Sequence, residues 1–146
     1  MPLLKSCTEC LEQTPRGSIA AISFCGLYPL GSLGNEHARE MRESLAKLVG
    51  ETNPAAVLID FTDLEYEWGD GICELVRPLR TTSKTLRPGC HLATRPFCLV
   101  ATGKTAEALA PLVEPRFLLG TAGGKLFATR AEALSFLRSQ IAMDGQ

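Results

Sequence analysis

Five carboxylates crowd one short stretch of the chain, Asp60, Asp63, Glu65, Glu67 and Asp70. Between the last two lies the sole tryptophan, in the sequence Trp68-Gly69-Asp70-Gly71. Paired carboxylates can divide general-acid and general-base roles when their environments separate their acidities. Strand alternation would put Glu65 and Glu67 on one face, opposite Tyr66 and Trp68. A solvated acidic rim is the commoner outcome of such a run. The stretch therefore has three readings from its residues alone: it catalyses, it binds, or it connects.

Two other groupings carry chemistry in principle. Gly103-Lys104-Thr105 follows an apolar run and opens a helical pattern, the place of a phosphate-binding loop. That loop needs a glycine five positions earlier, so that backbone N–H groups can wrap the phosphates. Cys98 stands there, inside an apolar run, so a turn with a helix start is expected instead. Cys7-x-x-Cys10 could be half of a tetrahedral metal site, but Cys90-His91 is the remaining ligand pair and adjacent ligands suit one ion poorly. A redox pair should follow a strand and open a helix, and no strand precedes Cys7. Two thiols on a mobile N-terminus are expected. The histidines, His37 and His91, have no nucleophile at readable spacing, and no G-x-S-x-G elbow occurs. No metal and no cofactor is expected.

The elements that must position these residues follow from hydrophobic periodicity. Residues 1–16 read as a polar lead-in, with a short helix or strand near Leu3-Leu4. Ser18 to Leu27 reads as a buried strand. Asn35 reads as an N-cap, and Ala38, Met41, Leu45 and Leu48 recur at helical spacing through residues 36–49, with Gly50 as the residue that ends the helix. Ala55 to Phe61 is a short, uninterrupted apolar run, the pattern of a strand covered on both faces. Ile72, Leu75, Val76 and Leu79 line a helical face that Pro78 limits, and Thr81 to Thr94 reads as connection. Pro96 to Ala101 reads as a strand and Thr105 to Val113 as a helix limited by Pro111. Phe117-Leu118-Leu119 and Lys125-Leu126-Phe127 flank a glycine-rich turn. Thr129 to Glu132 is a capping box, and Ala133, Phe136, Leu137 and Ile141 form the stripe of a last helix.

This alternation predicts an α/β fold, a small mixed β-sheet of about four to five strands with helices packed on it. Residues 17–141 would form one domain, with 142–146 as a tail. At 146 residues a single domain buries roughly 70% of the surface of its unfolded chain without disulfides or metal. The six cysteines are scattered, and Cys25 and Cys98 lie in apolar runs that suit reduced, core-filling thiols. A formal net charge of −1, from 15 basic and 16 acidic residues, argues against a nucleic-acid surface. No secretory signal is evident, and no stretch approaches the roughly 18 apolar residues of a membrane span. The cytoplasm is the expected compartment.

The element order and the acidic stretch together resemble the STAS domain family, the anti-sigma factor antagonists and their relatives. There a strand of the type "vvlDlsgveyiDSSGl" leads into a helix, and the matching text here is "AVLIDFTDLEYEWGDGICEL". Asp60 falls on the family's first aspartate and Gly71-Ile72 on the Gly-Leu that begins the helix, without a gap. The ending LFATRAEALSFL, Leu126 to Leu137, is similar to the family's "lf.t.eeAl..l". The resemblance spans about residues 17–140 and is strongest over some twenty of them.

The resemblance implies a non-catalytic domain in bacterial-type signalling that binds a protein partner, such as an anti-sigma factor or a kinase-like regulator. The contact turn would be Trp68, Gly69, Asp70, Gly71 and Ile72. The family's phosphorylated serine falls on Asp70, its first serine on Gly69 and its aspartate on Trp68, so the turn holds no hydroxyl to phosphorylate. An aspartate carries one negative charge where phosphoserine carries nearly two. Asp70 is thus either a fixed mimic of the phosphorylated state or a helix N-cap. An exposed Trp68 would anchor an interface; a buried one would plug the core. The rival reading is a small-ligand or acyl-thioester-binding α/β protein, a crotonase-related enzyme among them, and a third is a homo-oligomer whose assembly is its function.

Overall fold

A computed structural model of the chain describes residues 4–15, 17–27, 32–65, 96–113 and 125–144. The described elements run β1 (Leu4–Thr14), β2 (Gly17–Leu27), α1 (Ser32–Thr52), β3 (Ala56–Asp60), β4 (Leu64–Glu65), β5 (Phe97–Val100), α2 (Gly103–Leu109) with a 3-10 turn (Ala110–Val113), β6 (Lys125–Phe127) and α3 (Arg130–Asp144). The α/β class and the mixed sheet are as expected. The sheet path is β1-β2-β3-β5-β6, and the two-residue β4 pairs with β2 off this path. β1 and β2 are antiparallel; the other pairings are parallel.

Two apolar layers sandwich the sheet, as parallel strands require. Val57, Ile59 and Phe61 face the layer that Met41, Leu45 and Leu48 of α1 and Leu109 of α2 complete. Ala56, Leu58, Cys98 and Val100 face the layer closed by Ala133, Leu137 and Ile141 of α3. Every residue of β3 and β5 is buried, which is why both read as continuous apolar runs. The expected stripe on α1 is realised at Met41, Leu45 and Leu48, and that on α3 at Ala133, Leu137 and Ile141. The N-cap half of the capping box forms, with the Glu132 N–H donating to Thr129 Oγ1 at 3.2 Å, while Glu132 Oε1 accepts the Thr129 hydroxyl at 3.1 Å.

Residues 4–14 depart from the expected polar lead-in. They form an 11-residue strand that pairs with β2 from Leu4↔Gly26 to Thr14↔Gly17. The strand escapes pattern reading because Lys5 to Cys10 are exposed, so no apolar alternation marks it. Hairpin closure supplies what periodicity lacks. Thr14 Oγ1 donates to the Gly17 carbonyl at 2.6 Å, and Gly17 has φ +135. A Cβ there would meet Ala55 Cβ at 3.1 Å, so this turn needs glycine on two counts.

The end of α1 also differs. Gly50 lies inside the helix, with open space where a Cβ would stand. The chain leaves the helix at Asn53, φ 43, whose N–H still donates to the Val49 carbonyl at 2.9 Å. Asparagine tolerates the left-handed conformation better than other non-glycine residues, and Pro54 forbids continuation. The helix also begins before Asn35, at Ser32. The helix expected after the acidic turn, the connection Thr81–Thr94 and Phe117–Leu119 lie outside the described residues.

Candidate functional site at the C-terminal edge of the sheet

Because β2, β3, β5 and β6 run parallel, their C-terminal ends share one edge of the sheet. In open α/β sheets that edge carries the binding loops. The row Ser23, Asp60, Val100, Phe127 marks it, each residue registered with the next. Asp60 ends β3 on the α3 side of the sheet, two residues beyond the core residue Leu58. Among the described residues it is one of two buried polar residues, at 7% exposed, the other being Thr105.

Both Asp60 oxygens are engaged. Oδ1 accepts the Thr62 backbone N–H at 2.8 Å and the Thr62 hydroxyl at 2.5 Å. Oδ2 accepts Nε of Arg130 at 2.7 Å. Burial pushes the Asp60 carboxyl up, but the Thr62 hydroxyl, the Arg130 guanidinium and the Thr62 N–H together hold it below its ordinary value of 3.8. Arg130 also donates from Nη1 to Glu9 Oε1 of β1 at 2.5 Å. Glu9 first, then Asp60, raise the guanidinium above its ordinary value. A carboxylate bonded in this way and held ionised serves as an anchor. It joins the end of β3 to the first turn of α3 and, through Arg130, to the β1 strand.

Beyond Asp60 the chain turns sharply. The Phe61 N–H donates to the Val100 carbonyl at 2.7 Å, Leu64 N–H to Phe61 at 3.0 Å and Gly26 N–H to Asp63 at 3.2 Å. These bonds swing Leu64-Glu65 beside Gly26-Leu27 as β4. Thr62 and Asp63 are exposed; Leu64 is buried. The chain is thus delivered to position 66 from a fixed platform on the C-terminal edge. Trp68, Gly69, Asp70, Gly71 and Ile72, with Glu67, lie outside the described residues. So do Cys73, Cys90 and His91.

The other sequence candidates resolve simply. Gly103-Lys104-Thr105 opens α2, and Cys98 is buried in β5, so the strand occupies the place of a phosphate loop. Cys7 and Cys10 sit on an ordered strand rather than a mobile terminus. Cys7 registers with Ser23 and Cys10 with Ala20, residues on opposite faces of β2, so the two thiols point away from each other. Cys98 is a core thiol as expected, its acidity weakened by burial to about 12, whereas Cys25 is half-buried.

Sequence reading missed Arg130 and Glu9. One signal was available. A cation in the first turn of a helix opposes the helix dipole, and Arg130 follows the Thr129 cap directly. Such a residue calls for a counter-charge, which the fold supplies from β3 and β1.

No family model matches the chain, and no curated protein matches it by sequence. The fold is that of a small α/β domain with a mixed sheet, and it is STAS-like. A solved structure similar to it is the crystal structure of an anti-sigma factor antagonist from Mycobacterium paratuberculosis, with a TM-score of 0.57 and 18% identity over 92% of this chain and 94% of that one. Among the described residues, no helix is long and apolar enough to cross a membrane.

Proposed function

We propose that this chain is a non-catalytic signalling domain that binds a protein partner, an anti-sigma factor or a kinase-like regulator, through the corner that follows β4. The supporting observation is the likeness, over nearly the full length of both chains, to a structure described as an anti-sigma factor antagonist. The Asp60 anchor adds to it: with both oxygens engaged, this carboxylate holds a turn in place. Trp68 to Ile72 supply the contact, and Asp70 stands where the family carries its phosphoserine. Its single fixed charge makes the domain insensitive to phosphorylation at that turn.

The test is capture from the source cells with wild type, Trp68→Ala and Asp70→Ser, followed by reconstitution with the purified partner and ATP. The proposal expects one regulator of the anti-sigma or kinase class, bound by wild type and lost with Trp68→Ala. It expects phosphate to enter Asp70→Ser at position 70 and to be absent from residues 67–73 of the wild type. Co-purification of a small metabolite in place of a protein overturns it in favour of the ligand-binding reading.

A further inference from the structure

β1 ends the strand path, and no described strand pairs with its outer side. Which of its backbone groups face that side follows from β2. The Gly26 N–H donates to the Asp63 carbonyl at 3.2 Å, toward β4, so Leu4 and Gly26 register without bonding each other. Bonded and unbonded pairs alternate along an antiparallel ladder. Lys5, Cys7 and Glu9 therefore bond to Cys25, Ser23 and Ala21, and the N–H and C=O groups of Leu4, Ser6, Thr8 and Cys10 point out of the sheet edge. The Ser23 hydroxyl, which donates to the Cys7 carbonyl at 3.4 Å, agrees with that parity. Lys5 to Cys10 are exposed. A bulge blunts a free edge, but the irregularity in β1 comes only after Cys10.

A long unpaired edge is a template for another strand, and this one is complementary to itself. Its outward groups sit on even-numbered residues, so an antiparallel strand of the same sequence must set even positions against even ones. Centred on Cys7, that register puts Ser6 against Thr8 of the second copy as a hydrogen-bonded pair. It also puts Lys5 against Glu9 of the second copy, twice over by symmetry. Centring on Ser6 or Thr8 sets both charges against uncharged residues, and centring on Lys5 or Glu9 opposes like charges. Glu9 is already held at the edge by Arg130 Nη1, so its carboxylate is placed before a partner arrives. From this register we propose that a second copy of this chain docks on β1, strand against antiparallel strand about a two-fold axis at Cys7, joining two sheets into one. The inference is independent of the anti-sigma or kinase reading.

Light scattering over a concentration series in reductant tests it, with wild type, Lys5→Glu and Thr8→Pro, each shown by circular dichroism to melt as a folded chain. The wild-type mass is expected to rise from one chain toward two. Lys5→Glu opposes carboxylates at both ends of the register, and Thr8→Pro removes an outward donor that β2 does not use. Each should weaken association about tenfold or more. Amide exchange on wild type needs no variant: Ser6 and Thr8 should be protected in concentrated protein only, Cys7 and Glu9 at every concentration. The two Cys7 Cα atoms of an unbonded pair stand about 4.5 Å apart, within disulfide reach. Added diamide, which takes up the two thiol hydrogens, should therefore bridge Cys7 to Cys7. A mass of one chain at every concentration overturns the proposal. So does a dimer that survives Lys5→Glu, one that leaves Ser6 and Thr8 unprotected, or a bridge that maps away from Cys7.

Discussion

Arg130 Nε lies 2.7 Å from Asp60 Oδ2, across 70 positions of sequence, and this contact fixes the corner of the domain to its last helix. The Asp60 side chain is 9% exposed and that of Arg130 39%. Loss of one partner of a buried ion pair costs about 3–5 kcal/mol, and solvent around Arg130 screens part of that. Asp60→Ala, which also abandons Thr62, is expected to cost about 3 kcal/mol, and Arg130→Ala about 1–2 kcal/mol. Glu9→Gln, at a half-exposed site, should cost under about 0.5 kcal/mol. Urea denaturation of the three variants checks this order. Equal losses at Glu9 and Asp60 would remove the anchor from the account.

The same contact sets a dependence on acid. The folded acidity constant of Asp60 lies below its ordinary value of 3.8. Its stabilisation is therefore present above that value and lost as pH falls through the lower folded one. The gap in urea midpoint between wild type and Asp60→Asn should stay constant from neutral pH to about pH 5 and narrow below about pH 4. Arg130 shifts upward from a value already far above neutral, so its contribution is complete across this range and adds no second window. A gap that widens on acidification contradicts the assignment.

Two substitutions at the end of α1 separate the observed helix from the one the pattern suggested. Were Gly50 the left-handed terminating residue, alanine there would be strained. In the structure it is helical and unhindered, so Gly50→Ala should stabilise by about 0.5–1 kcal/mol. Asn53 holds φ 43, so Asn53→Ala should destabilise by about 1 kcal/mol while Asn53→Gly stays near neutral. Thermal melts followed by circular dichroism give both signs.

What could be read in the sequence tracks how locally each feature is determined. β3 and β5 are covered on both faces, so their residues are apolar without interruption and announce themselves. The stripes of α1 and α3 are periodic for the same reason, and Thr129 with Glu132 form a cap within four residues. The helix end at Asn53 was obscured by Gly50, a better terminator by type that the chain does not use as one. Arg130, Glu9 and Asp60 meet only after the sheet is assembled, so no local window contains their relationship. The bond that the Thr105 hydroxyl donates to the Leu64 carbonyl, at 2.7 Å, is hidden likewise: a threonine beside Gly103-Lys104 reads as part of a turn until β4 comes beneath it. β1 left no mark because Lys5 to Cys10 face water on a strand whose order comes from its neighbour.

That last point carries the prediction of largest effect. A polar lead-in could be removed without consequence; β1 could not. Deleting residues 1–14 strips every β1 pairing from β2 and exposes the backbone edge of a strand whose Ile19, Ala20, Ala21, Ile22 and Phe24 belong to both core layers. It also removes Glu9 and Glu12, the partners of Arg130 and Arg138 on α3. An unpaired apolar edge is a template for association. The truncated chain is expected to populate soluble aggregates in size-exclusion chromatography with light scattering and to lose its cooperative thermal transition. The charges alone do not explain that outcome: a full-length Glu9→Gln, Glu12→Gln double variant should stay free of aggregates as wild type does. If the truncated chain instead elutes and melts as wild type does, β1 contributes no more than the lead-in its composition suggested.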